Sequence, residues 1–216
     1  MFNFFKKTKY SPIKLFEFHT FNWELYEDSE KTKAWLNNDK SGFLAITELE
    51  SQYMYGAENL DVFINAERKL ILENSGGIVD CKTSTLDEIK CFSSILKEPQ
   101  EPTGMKYSFR LIFPLKEKSV VITAEQCENG VTGLRDSVTL TKWMKNNELE
   151  TDENGRMINW AKDPFDNSFS DGALKNESDL EIYDKDFPDH PLTIIRKMLR
   201  EIEKSIKADQ KIKKYN

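Results

Sequence analysis

Lys106-Tyr107-Ser108-Phe109-Arg110-Leu111-Ile112-Phe113 runs into Pro114-Leu115-Lys116-Glu117-Lys118 and then, past Ser119, into Val120-Val121-Ile122-Thr123-Ala124. In the first run Tyr107, Phe109, Leu111 and Phe113 alternate with Lys106, Ser108 and Arg110, so an extended chain places the large apolar side chains on one face and the polar ones on the other. The proline and charges of the middle stretch suit a reversal, and the third run is β-branched. Together they predict an antiparallel hairpin with one buried face.

Working outward, weaker strand patterns fall at Ile13–Phe18, Phe43–Leu49, Gly77–Thr83 and Lys90–Lys97, the last separated from the hairpin by Pro99-Gln100-Glu101-Pro102-Thr103-Gly104. Helical spacing occurs at Leu60, Phe63, Ala66 and Leu70, with Asn59 as candidate N-cap and Asn74-Ser75-Gly76-Gly77 as the stop. A second helix is predicted over Thr132 to Asn146, although Val138-Thr139-Leu140-Thr141 also fits a strand. The last helix follows Asp189 or His190 as cap, with Pro191 at its first position and an apolar stripe of Leu192, Ile195, Leu199, Ile202 and Ile206. Strands around a helix, a hairpin and further helices describe an α+β fold in which a largely antiparallel sheet packs with helices.

Charge divides the C-terminal part. From Asn146 to Asp189 there are thirteen carboxylates and four Lys/Arg; from His190 to Asn216 there are eight Lys/Arg and three carboxylates. So polar a tract must wrap a neighbouring core or stay mobile. The expected organisation is a sandwich core over 1–147, an acidic, mostly irregular segment over 148–189, and a basic amphipathic helix over 190–216 packed on the core, all within one structural domain. The basic helix is free to fold back on the acidic tract.

The net charge of −6 argues against the chain tracking a phosphate backbone, and leaves the last helix as the one route to nucleic acid. Cys81, Cys91 and Cys127 are odd in number and lack metal spacing, which suits a reducing compartment and gives no zinc site. No apolar run is long enough to span a membrane. Phe2, Phe4 and Phe5 precede Lys6, Lys7 and Lys9, the reverse of a secretory signal, so a cytoplasmic location is expected.

Chemistry is sparse. The two histidines are His19, among Phe16, Phe18 and Phe21, and His190. His190 reads as a helix cap, with a proton-transfer group oriented by Asp189 as the functional alternative. Asp163 with Asp166, and Asp184 with Asp186, are carboxylate pairs of the kind acid–base enzymes use, yet they read first as turns and caps. Phosphate-binding glycine loops are absent. Glu150-Thr151-Asp152-Glu153-Asn154-Gly155 fails as a calcium loop because Ala161 stands where a bidentate Glu is needed. Cys81 beside Lys82 is a faint hint of a thiolate. No cofactor and no metal are expected.

Gly76-Gly77 through Lys97-Glu98-Pro99, Thr103 to Tyr107, Thr132-Gly133-Leu134-Arg135-Asp136, Asp163-Pro164-Phe165-Asp166 and Phe187-Pro188-Asp189-His190-Pro191-Leu192 resemble a family of uncharacterised bacterial proteins. The order of elements up to Asn147 is similar to the PsbP-like α/β/α sandwich, which implies protein binding and carries no catalytic residues onto this chain. The expectation is therefore a non-enzymatic cytoplasmic protein of adaptor, chaperone-like or immunity type, binding a protein partner of basic character. The alternative is a small enzyme built around His190 with Asp189 and the carboxylates Asp163 or Asp166.

Overall fold

Register confirms the hairpin: Phe109 stands opposite Ala124 and Phe113 opposite Val120, and the Leu115 N–H donates to Lys118 O (2.8 Å) to close the turn. The computed structural model describes residues 11–49, 59–116 and 118–213. The Phe- and Lys-rich start lies outside the described residues.

Seven strands form one antiparallel sheet. They are β1 Glu24–Asp28, β2 Thr32–Leu36, β3 Gly42–Leu49, β4 Gly77–Leu86, β5 Ile89–Pro99, β6 Met105–Pro114 and β7 Ser119–Cys127, in spatial order β1-β2-β3-β7-β6-β5-β4. Among the described residues three longer helices accompany it: α1 Leu60–Leu72, α2 Leu134–Lys145 and α3 Pro191–Ser205. The chain is thus α+β, with a large antiparallel sheet packed against helices.

Both faces of the sheet are covered. On one, Tyr107, Phe109, Leu111 and Phe113 of β6 meet Leu192, Ile195, Met198, Leu199 and Ile202 of α3. Full burial of each such side chain contributes about 1.5–3 kcal/mol. On the other, Phe63, Ile64 and Ile71 of α1 pack on Ile78, Cys81, Phe92, Leu96 and Ile112. The polar side of β6 is therefore not solvated along its length as its alternation suggested. Arg110 reaches the fully buried Glu67 of α1 (2.9 Å), which also accepts from the Ser94 hydroxyl (2.7 Å). An ion pair replaces water where α1 covers the strand.

Local chemistry explains the departures from the sequence pattern. The strand expected at Ile13–Phe18 is a 3-10 turn over Pro12–Leu15, because Pro12 at its start fixes a turn-compatible φ; only Phe16–Glu17 is extended, paired with Lys207–Ala208. The β1–β2 hairpin went unseen because β1 is exposed at every position and shows no alternation. The basic helix stops at Ser205: Ile206 turns to extended backbone (φ −63°, ψ 134°) while keeping its side chain in the core, and a short helical turn at Gln210–Lys213 follows.

The acidic segment wraps the core. It has little apolar surface to bury, so charge and backbone bonds hold it: Asp163 to Arg68 of α1 (2.9 Å), Asp179 to Lys97 of β5 (2.6 Å) and Asp184 to both Arg135 of α2 (2.9 Å) and Arg196 of α3 (2.7 Å). Glycine permits the closest crossing, since a Cβ at Gly77 would lie 2.0 Å from the Ala173 carbonyl oxygen.

Candidate functional site

Between the end of β7, the start of α2 and the loop entering α3 lies an open cleft of about 480 Å³. Glu128, one residue past β7, organises its floor. Its Oε2 accepts from the Met105 N–H (2.9 Å) and its Oε1 from the Gly133 N–H (3.1 Å), tying β6 to the N-terminus of α2. His190 joins through Nε2, 3.3 Å from Glu128 Oε1. Its other nitrogen, Nδ1, accepts the Leu192 N–H (3.2 Å) as the cap of α3, so Nε2 carries the proton. The imidazole also stands edge-on to Tyr107, with ring centroids 5.2 Å apart. Burial alone would raise the Glu128 carboxyl, but the bonds from His190, Gly133 and Met105 hold it below the ordinary glutamate value.

Behind the floor, Arg135 is 1% exposed and every nitrogen of its guanidinium donates. It donates to the carbonyls of Ser178 (2.7 Å) and Leu180 (3.0 Å), to the Thr193 hydroxyl (3.0 Å) and to Asp184 (2.9 Å). Lys97 and Asp179 complete the buried polar layer, in which Asp179 Oδ2 also accepts the Asn176 N–H (2.9 Å) and Asp179 Oδ1 has no partner. Burial, reinforced by Asp179, Asp136 and Glu128, pushes the Tyr107 hydroxyl well above its usual range, so it stays neutral.

The outer part of the cleft differs in character. Val131 (77% exposed) and Leu134 (52%) form aliphatic lips, continued inward by Phe187, Pro188, Pro191 and Ile194. Asp39 and Asp189 stand on the rim. Asp39 accepts the Ser41 hydroxyl (2.7 Å) and N–H (3.1 Å), which draw its carboxyl below the ordinary aspartate value. Asp186 is engaged by Lys142 (3.0 Å). Cys127 also lines the cleft, and burial keeps its thiol raised, so it is no thiolate.

His190 and Asp189 are thus brought to one cleft, but Asp189 is exposed and makes no bond to the imidazole; Glu128 takes that position. Asp163 lies across the sheet on the α1 side, buried against Arg68, and caps the turn at Phe165 and Asp166 through their N–H groups (2.9 and 3.0 Å). Asp166 is exposed and bonded to Ser168 (2.6 Å). Neither joins His190. His19 is an exposed ring standing edge-on to Phe21, with ring centroids 4.7 Å apart. Cys81 is buried among Glu67, Asp80 and Asp163, which raises its thiol and removes the thiolate suggested by Lys82. Sequence reasoning passed over Glu128 and Arg135. Glu128 lies between the strand pattern ending at Ala124 and the helix pattern beginning at Thr132, and Arg135 stands inside that helix pattern beside its apolar neighbours.

Among the described residues no group of three or more His, Cys, Asp or Glu side chains is placed to hold a metal ion, and no helix is long and apolar enough to cross a membrane. No family model matches the chain. No curated protein sequence matches it. Among solved structures, the Ran-binding protein Mog1p of Saccharomyces cerevisiae is similar at TM-score 0.44 and 9% identity, over 87% of this chain and 85% of that one. A Bacteroides thetaiotaomicron protein follows at TM-score 0.35 and 18% identity, over 56% of this chain and 42% of that one. A Pseudomonas aeruginosa protein of unknown function, described as a putative regulator, gives TM-score 0.34 and 9% identity, over 59% and 86%. Likenesses at this level say nothing about function.

Proposed function

We propose that the chain is a non-catalytic, cytoplasmic protein-binding module whose partner docks on the face where the cleft opens. The observation that carries this reading is the contrast within the cleft. Its inner titratable groups, Glu128, His190 and Arg135, are consumed in bonds that hold the fold, while its lips expose Val131 and Leu134 to solvent. Exposed aliphatic side chains beside a concave surface are what a docking partner covers. The partner is basic, in keeping with the acidic balance of the chain and its tract. An adaptor, chaperone-like or immunity-type role is the form such binding would take. A tie to the uncharacterised bacterial family and the PsbP-like sandwich is part of this proposal, supported by an antiparallel sheet with helices on both faces.

The test is capture of partners by the tagged full chain from its own cell lysate at low and at moderate salt, beside the V131S/L134S variant. Retention of a stoichiometric protein by the wild type, lost with salt and with the variant, supports the reading. Equal capture by both chains removes the cleft from it.

A second reading, a small enzyme using His190, is favoured by the placement of the His190–Glu128 pair on the cleft wall. Against it, each ring nitrogen already serves a structural bond, so taking a proton would release the cap on α3.

A further inference from the structure

We infer that the cleft receives a short extended segment of another protein in which a Lys or Arg side chain stands next to an aliphatic one. This deepens the protein-binding reading above and rests on it.

The charge argument comes first. Among the described residues, neither Asp39 nor Asp189 on the rim takes part in an ion pair. Of the cations nearby, Arg135 is bound to Asp184 and backbone carbonyls, Lys142 to Asp186, and Lys197 Nζ to the Pro188 carbonyl (3.2 Å). An incoming cation therefore meets two carboxylates that no ion pair compensates. The Ser41 bonds hold Asp39 ionised and aimed, so attraction does not wait on a pH change. An anionic ligand or a phosphate backbone would meet charge of its own sign there.

Shape and apolar surface then select the rest. The lips Val131 and Leu134, with Pro191 and Ile194 further in, offer a strip for aliphatic contact beside the carboxylates. A Lys or Arg lays its methylene stem on such a surface while its head reaches an acid, so one residue uses both properties. The volume is about 480 Å³. The cleft is open, and none of its lining side chains has a buried polar atom without a partner, so its available polar groups stand at the solvent-facing rim.

The experiment is fluorescence anisotropy with the full chain at low salt and three fluorescein-labelled pentapeptides: Lys-Val-Lys-Leu-Lys, Glu-Val-Glu-Leu-Glu and Lys-Ser-Lys-Ser-Lys. The first binds and the other two bind much more weakly. D39N/D189N weakens the first by about five- to tenfold, as expected for two exposed pairs, and V131S/L134S weakens it comparably. E153Q/D171N, which removes two exposed carboxylates outside the cleft, leaves it unchanged. Equal binding of the Lys/Ser peptide, or an equal loss in E153Q/D171N, overturns the inference in favour of diffuse charge. If no pentapeptide binds while the lysate capture still yields a protein lost on V131S/L134S, the basic-aliphatic assignment falls and the binding function stands; if both fail, both fall.

Discussion

His190 Nε2 and Glu128 Oε1 lie 3.3 Å apart, and through this contact one carboxylate joins β6, the start of α2 and the cap of α3. Gln at position 128 could orient its oxygen toward His190 and Gly133, or toward Met105, but not toward both. E128Q should therefore destabilise the fold by about 2 kcal/mol, the scale of hydrogen bonds to a charged group. The sign of the pH effect follows from the direction of the shift. The Glu128 carboxyl is held below its ordinary value in the fold, so the unfolded chain binds more protons as pH drops and stability from this group rises with pH. It is fully present above about pH 4.3 and lost as pH falls through the folded value. Urea midpoints taken across this range should show the wild-type advantage over E128Q constant near neutrality and shrinking in acid; an advantage that grows in acid would contradict the assignment.

The Lys97–Asp179 pair is 2.6 Å long with side chains 5% and 0% exposed. Removing one partner strands a buried charge, so K97M and D179L should each lose about 3–5 kcal/mol, whereas the double variant should recover much of it. Because Asp179 also accepts the Asn176 N–H, recovery will fall short of complete. A double-mutant cycle from guanidinium denaturation measures the coupling, and additive single losses would show that the two ions do not depend on each other.

Gly77 admits the Ala173 carbonyl where a Cβ would lie 2.0 Å from its oxygen, and Gly172 (φ +74°) approaches the Gly76 carbonyl with similar closeness. G77A must push the 172–174 stretch off the start of β4. The expected loss is about 1–3 kcal/mol, as for other overpacked positions, with faster proteolytic cleavage in the acidic segment. An alanine variant as stable and as resistant as the wild type would mean that the crossing is not this close.

What could be read beforehand follows from which interactions repeat along a chain. Tyr107 to Phe113 and Leu192 to Ile202 announce themselves because apolar burial on a strand or helix recurs every two or every three to four residues. The turn at Pro12 and the polar β1 strand have no such signal, because a single ring constraint, or an exposed sheet edge, leaves no recurrence. The cleft was half legible. His190 was visible as a cap through Pro191, but its true partner is Glu128, 62 residues away in the chain, and a pairwise polar contact at that separation has no sequence period. Asp163 and Asp166 resemble catalytic carboxylates only until topology sets the sheet between them and His190.

Arg135 decides whether the acidic segment stays on the core. Its donors reach Ser178 O, Leu180 O, Thr193 and Asp184, and they fan out in directions that a planar guanidinium provides and an ammonium does not. R135K should therefore behave almost as badly as R135M, each losing about 3–5 kcal/mol, because Lys leaves buried carbonyls unpaired and adds a misplaced charge. The damage should be local at first. Arg196 still holds Asp184, so α3 keeps its place on Tyr107 to Phe113, while the stretch from Ser178 to Leu180 loses the two carbonyl anchors that Arg135 supplied and keeps Asp179 on Lys97. Limited proteolysis read by mass spectrometry should show new cuts near 178–182 ahead of any cut in β5 to β7. Retention of the wild-type pattern in R135K would show that charge alone, and not the fork of hydrogen bonds, fastens the segment.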